Sequence, residues 1–184
     1  MKTFKSHLKE TTLSRVFRHF QNKKIPVGII TAFRDEFEYG QNVKRNKVLA
    51  SKVKKARYGF IYVDGHWKEK DKDTGELVDV NEDSILVIGS ENDSGKLKGL
   101  FKKWVKEYNQ DAALFKDAGT TEIQFIKQSG NGEPFAQKFS QKKLEIGYTK
   151  LRGRSKNVFS FDEERDGEGW LGRMERLVKE RQKK

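Results

Sequence analysis

Cysteine is absent from the 184 residues, which removes disulfides, thiol nucleophiles and cysteine-ligated zinc in one step. Histidine is scarce: His7 and His19 lie in the N-terminal arm and His66 in a turn, so no pair has metal-ligand spacing. No apolar run reaches bilayer length and no signal-peptide hydrophobic region follows the start, so no membrane span is expected and a cytoplasmic protein is the economical reading. Walker loops, the dinucleotide glycine fingerprint, G-x-S-x-G and H-E-x-x-H are all missing, so no cofactor is expected and no catalytic residue is assigned. Apolar residues are few, 34% against 36% charged, so the core must be compact, with thirteen Phe compensating in part.

Acid is missing locally as well. None occurs between Gly40 and Val63, the middle of a stretch around which the chain is organised. Val27 to Phe33 is nearly continuously apolar, as in a strand covered on both faces. From Asn42, the expected N-cap, Val43, Leu49, Val53 and Ala56 share one side of a helix. Lys44, Arg45, Lys47, Lys52, Lys54 and Lys55 occupy the other. Tyr58 to Val63 returns to strand chemistry and reaches the turn signal Asp64-Gly65.

Beyond it, Lys68 to Asp83 reads as the end of a long hairpin with Thr74-Gly75 at its tip, and Ser84 to Gly89 as a second continuous apolar strand. Asp93-Ser94 precedes the clearest helix, where Leu97, Leu100, Phe101, Trp104, Val105 and Tyr108 recur with helical spacing. Asp111 to Lys116 and Glu122 to Lys127 are two further strands. The order is that of an α+β, ferredoxin-like β-α-β-β-α-β sheet with both helices on one face, one strand appended, and the two continuous strands central. A doubly wound parallel sheet would need a longer crossover than the polar hairpin between Val63 and Ser84 supplies. Amphipathic helices are expected at both ends: Leu13, Val16, Phe17 and Phe20 in the first, and Trp170, Leu171, Met174, Leu177 and Val178 in the last. The expected divisions are a helical arm over 1–24, the α+β domain over 25–161, and a helix with a basic tail over 162–184.

Net charge is +12, which favours polyanionic partners. The basic helix (Lys44, Arg45, Lys47, Lys52, Lys55) and the later cluster Lys150, Arg152, Arg154 and Lys156 are the candidate nucleic-acid contacts, since each cation meeting a phosphate releases counterions. Tyr58, Phe60, Tyr62 and Trp67 offer stacking faces for bases, though such strand aromatics are more often core. Asp64, Glu69, Glu82 and Asp83 could gather around Mg²⁺ with Lys68 or Lys70 assisting, which defines a metal-dependent nucleic-acid-processing alternative. A solvated hairpin of mixed charge explains the same residues.

Two stretches resemble known proteins. Ile30 to Phe33, Asn42 with Arg45-Asn46 and Leu49, Gly65-x-Trp67-x-Glu69, Glu82-x-Ser84 and Tyr108 to Ala112 resemble a small domain family of unknown function found in bacteria and tailed phages, over residues 27–117. That resemblance marks Thr31, Asn42, Arg45, Asn46, Trp67, Glu69, Glu82 and Gln110 as a polar cluster. It carries no activity. Met1 to Glu10 resembles the capsid-targeting leader of T-even-type internal head proteins, which implies cleavage after Leu8-Lys9-Glu10. Together these define the leading expectation: a non-enzymatic, basic phage accessory or virion protein that binds nucleic acid non-specifically, in the host cytoplasm or virion interior. The third alternative is a structural or host-directed module whose terminal helices dock on a virion or host protein.

Overall fold

Four consecutive buried residues, Val27–Ile30, form β1, and their burial follows from position. In the computed structural model this strand has a neighbour on each side: β3 (Leu77–Ile88), with Val27 opposite Ile88 and Ile30 opposite Ile85, and β4 (Ala112–Lys116), with Ile29 opposite Leu114. The structure describes residues 13–70, 74, 76–129, 132–135, 137–140, 147–151 and 154–163, with side chains for 15–65, 74, 76 and 81–129. The expected terminal segments 1–12 and 164–184, including the leader and the last helix, lie outside them.

Between β1 and β3 run α2 (Tyr39–Lys55) and β2 (Gly59–Lys70); between β3 and β4 runs α3 (Lys96–Glu107). All pairings are antiparallel and the central order is β4-β1-β3-β2, the ferredoxin-like arrangement expected. The appended strand, β5 (Ile123–Lys127), pairs with β4. Four short additions extend both edges: β6 (Gly132–Phe135) beyond β5, and β8 (Gly147–Leu151), β9 (Arg154–Glu163) and β7 (Gln137–Ser140) beyond β2. The hairpin of β2 and β3 is long, paired from Gly59 and Ile88 out to Lys70 and Leu77.

Alternation along the strands sorts the core into two layers. On one face Leu49, Ala50 and Val53 of α2 and Leu97, Phe101, Trp104 and Val105 of α3 pack against Ile30, Ile85, Val87, Ala113 and Phe115. Each large side chain fully buried there contributes about 1.5–3 kcal/mol of transfer free energy. Gly28 lets α3 come this close: a Cβ at that position would lie 2.4 Å from the Phe101 ring and 2.8 Å from Phe115. On the other face α1 (Leu13–Gln21) lays Val16 and Phe20 against Val27, Ile29, Leu86, Ile123 and Phe125. The first amphipathic helix is thus part of the core, with Phe17 left half-exposed.

Two element ends differ from expectation. β1 stops at Ile30, so Thr31 to Phe33 belong to a loop. Asn42 is not the N-cap of α2: Glu38 is, with its backbone N–H donating to the Gln41 side chain at 3.0 Å, and Asn42 is buried one turn inside. Both helices close alike. Arg57 (φ 66°) and Asn109 (φ 55°) take the left-handed conformation, and the next residues, Tyr58 and Gln110, donate back to Val53 and Val105. The second closure aims Gln110 toward the end of β1.

Candidate functional site

Where β1 ends, the chain leaves the sheet with buried backbone groups that need partners. Side chains supply them. Asn46 Oδ1 accepts the Ala32 N–H at 3.0 Å, and its Nδ2 donates to the Asp83 carbonyl at 2.7 Å, tying the loop to β3. Arg45 Nε donates to the Ala32 carbonyl at 2.8 Å, and Gln110 Nε2 to the Phe33 carbonyl, also at 2.8 Å. Asn42 accepts from Arg34 N–H at 2.9 Å and donates to the carbonyls of Arg34 and Phe37 at 2.8 and 3.0 Å. Thr31 Oγ1 donates to Asp83 O at 2.7 Å and accepts from Phe33 N–H at 3.1 Å. The loop is therefore held in one conformation by α2, β3 and the end of α3, the condition for presenting its own side chains reproducibly.

Those side chains line an open cleft at the end of the sheet, largely on the face opposite α2 and α3. Its floor is apolar, from Ile29, Leu114 and Phe125 with Phe33. Its polar lining is Thr31, Arg34, Asp35, Glu82, Ser84, Gln110 and Asp111. Among the described residues three carboxylates and one guanidinium give this lining a formal −2, on a chain of net +12. Arg34 Nε donates to Glu36, 3.1 and 3.3 Å from its oxygens, and Nη1 lies 3.8 Å from Asp111 Oδ2. The Glu36 carboxyl is held below the usual carboxylate range, first by its own backbone N–H and then by Arg34.

Of the expected polar cluster, Thr31, Glu82 and Gln110 line this cleft. Asn42 and Asn46 brace it from behind. Trp67 and Glu69 lie on β2, opposite Val80 and Val78, with side chains outside the described set. Arg45 meets backbone carbonyls and aromatic faces. Among the described residues no three His, Asp or Glu side chains are placed to hold a metal ion, so Asp64, Glu82 and Asp83 do not by themselves form a metal site; Glu69, the fourth residue of the expected Mg²⁺ set, has its side chain outside the described set.

The basic helix is less uniform than its periodicity implies. Arg45 is no surface cation: besides Ala32 it donates to the Tyr108 carbonyl at 3.2 Å, and it stacks 4.4 Å from the Phe37 ring centre. Lys52 is paired with Glu107 and sits 5.2 Å from the Tyr108 ring. Lys44, Lys47 and Lys55 are exposed on α2, across the sheet from the cleft floor. Lys150 lies on β8 and Arg154 and Lys156 on β9, with side chains outside the described set, as is Arg152 altogether. Tyr58, Phe60 and Tyr62 pack against the helix-side core rather than standing free for stacking, and the Tyr58 hydroxyl donates to Asp93 at 2.5 Å. Arg34 and Asp35 were not among the expected site residues, and their signal is the abrupt Arg34-Asp35-Glu36 run after a buried strand; Asp111 lay within the Tyr108 to Ala112 stretch without being singled out.

A family model described as the S-Adenosylmethionine lyase family matches residues 28–172. Among solved structures, one described as a phage SAM lyase in complex with S-methyl-5'-thioadenosine is 17% identical. The match covers 61% of this chain and 88% of that one, with a TM-score of 0.31, a slight likeness. No curated protein matches the chain.

Proposed function

This chain belongs to the S-adenosylmethionine lyase family, and we propose that it binds S-adenosylmethionine in the cleft at the end of β1 and breaks a carbon–sulfur bond of the sulfonium. The observation that carries this reading is the family match itself, whose span of 28–172 contains every residue of the cleft. The charge of the lining supports it. S-adenosylmethionine carries a sulfonium, an ammonium and one carboxylate, hence a net positive charge, and suits a lining with three carboxylates and one guanidinium.

Two earlier expectations are corrected by the family. The chain belongs to a family of enzymes, not to one of unknown function or to non-enzymatic virion proteins. Its implied ligand is a small sulfonium compound, so neither the nucleic-acid contacts nor the nuclease alternative stands. The matched stretch begins at residue 28, beyond the leader-like segment. None of the described helices is long and apolar enough to cross a membrane.

Chemically, a sulfonium is already an activated leaving group. The carbon–sulfur bond breaks with its electron pair going to sulfur, which departs as a neutral thioether without protonation. The carbon takes its new bonding pair from within the same substrate molecule, since a lyase uses neither water nor an oxidant. Positive charge at sulfur therefore falls toward the transition state. An apolar floor such as Ile29, Leu114 and Phe125 favours that loss, whereas a carboxylate touching sulfur would stabilise the ground state more than the transition state. The carboxylates of the lining fit the substrate's ammonium and ribose hydroxyls better. The experiment is incubation of the purified protein with S-adenosylmethionine, followed by chromatography and mass spectrometry. Loss of substrate matched by an adenosine-bearing neutral thioether is expected; protein that neither binds nor consumes it refutes the reading.

A further inference from the structure

We propose that Arg34 and Asp111 form the subsite for the α-amino-acid head of the ligand, Arg34 receiving the carboxylate and Asp111 the ammonium. This rests on the cleft being the S-adenosylmethionine site and names the residues that select the amino-acid end. Among the described residues lining the cleft Arg34 is the only cation, and its side chain is only 18% exposed. Its backbone is fixed on both sides by Asn42, at 2.9 Å from the N–H and 2.8 Å to the carbonyl. Glu36 occupies Nε, and among the described residues no hydrogen bond within 3.5 Å engages the two Nη groups. Arg34 lines the cleft, and the end of its guanidinium can present two parallel N–H donors to a carboxylate there.

Asp111 Oδ2 stands 3.8 Å from Nη1, close enough for attraction and too far for a hydrogen bond. A cation and an anion at this separation are the charge complement of an α-amino acid, whose carboxylate and ammonium sit on one carbon. The pair joins the loop after β1 to the residue just before β4, neighbouring strands in the sheet, and the Arg34 side of it is held by Asn42.

The test compares two ligands by calorimetry: S-adenosylmethionine, and S-methyl-5'-thioadenosine, the neutral thioether that lacks the head. Arg34→Gln is expected to weaken S-adenosylmethionine binding by about 10- to 100-fold, as for loss of charged hydrogen bonds, and to leave the thioether within about twofold. Arg34→Lys keeps the charge and the packing but not the paired donors, and falls between. Asp111→Asn repeats the selectivity from the ammonium side. Wild-type affinity of Arg34→Gln for S-adenosylmethionine overturns the assignment. Equal losses for both ligands also overturn it, because a residue that only braced the loop would not discriminate. Wild-type protein that binds neither ligand overturns the cleft reading and the subsite with it, whereas unchanged selectivity overturns the subsite alone.

Discussion

Replacing Asn46 by Leu tests the claim that the cleft loop is held by side-chain hydrogen bonds. Asn46 is 3% exposed and makes two bonds of different consequence. Its loss leaves the buried Ala32 N–H without its 3.0 Å acceptor, at a cost of about 1–3 kcal/mol. The Asp83 carbonyl loses a donor but keeps Thr31 Oγ1 at 2.7 Å, so this second loss costs about 0.5–1.5 kcal/mol. The expected total is about 1.5–4.5 kcal/mol, read as a fall in urea midpoint at unchanged slope. Asn46→Asp separates the two bonds. It keeps the acceptor for Ala32 but turns a second oxygen toward Asp83 O, so the folded state prefers the protonated acid and raises its pKa above the ordinary ~3.9. The folded variant then binds more protons than the unfolded one. Its stability is full below about pH 4 and is lost as pH rises through the raised folded value, so its deficit against wild type widens toward neutrality. Asn46→Leu within about 0.5 kcal/mol of wild type, or a pH-independent Asn46→Asp deficit, would refute the reasoning.

Gly28→Ala forces a methyl to within 2.4 Å of the Phe101 ring and should cost about 1–3 kcal/mol by overpacking, seen as a lower melting temperature. Lys116 is fully buried, its ammonium donating to the carbonyls of Asn22 at 2.9 Å and Ile25 at 2.6 Å, and burial lowers its pKa from 10.5 to about 8 against an opposing pull from Asp117. The folded state binds fewer protons than the unfolded between those values. Wild-type stability relative to Lys116→Met should therefore climb from about pH 8 to 10.5 and be lost as pH falls through about 8, as measured by denaturation at several pH values. The double substitution Lys44→Gln, Lys47→Gln lies on exposed helix across the sheet from the cleft, and should leave turnover of S-adenosylmethionine unchanged and shift stability by less than about 0.5 kcal/mol.

The fold was legible where burial leaves a local signature. Val27 to Ile30 and Ser84 to Ile88 are continuous apolar runs because they are the central strands, and the Leu97, Phe101, Trp104, Val105 stripe repeats with the helical period because one side of α3 is buried. Element ends were less legible, since caps compete: Asn42 has the chemistry of a cap, but Glu38 and Gln41 open the helix a turn earlier and release Asn42 to hold the loop. The cleft was half legible. Thr31, Glu82 and Gln110 stood out through resemblance, while Arg34 and Asp111 lie 77 positions apart and meet only because β1 and β4 are neighbours. Helical periodicity put Arg45 among the lysines because it cannot see that Phe37 and Tyr108 offer it two aromatic faces.

The misleading quantity was the total charge. At physiological ionic strength a charge is screened beyond about 8 Å, so exposed lysines on α2 set the potential of their own surface and little of what lies across the sheet. The cleft answers to its own lining, whose formal charge is opposite in sign to that of the chain. Within it the guanidinium is not neutralised evenly. Glu36 engages one edge of Arg34 and keeps Nε occupied. Asp111 stays out of hydrogen-bond range of the other edge. An arginine satisfied on one side and loosely countered on the other is poised for a second carboxylate, and in this cleft the acceptable source is a ligand that brings its own positive charge with it.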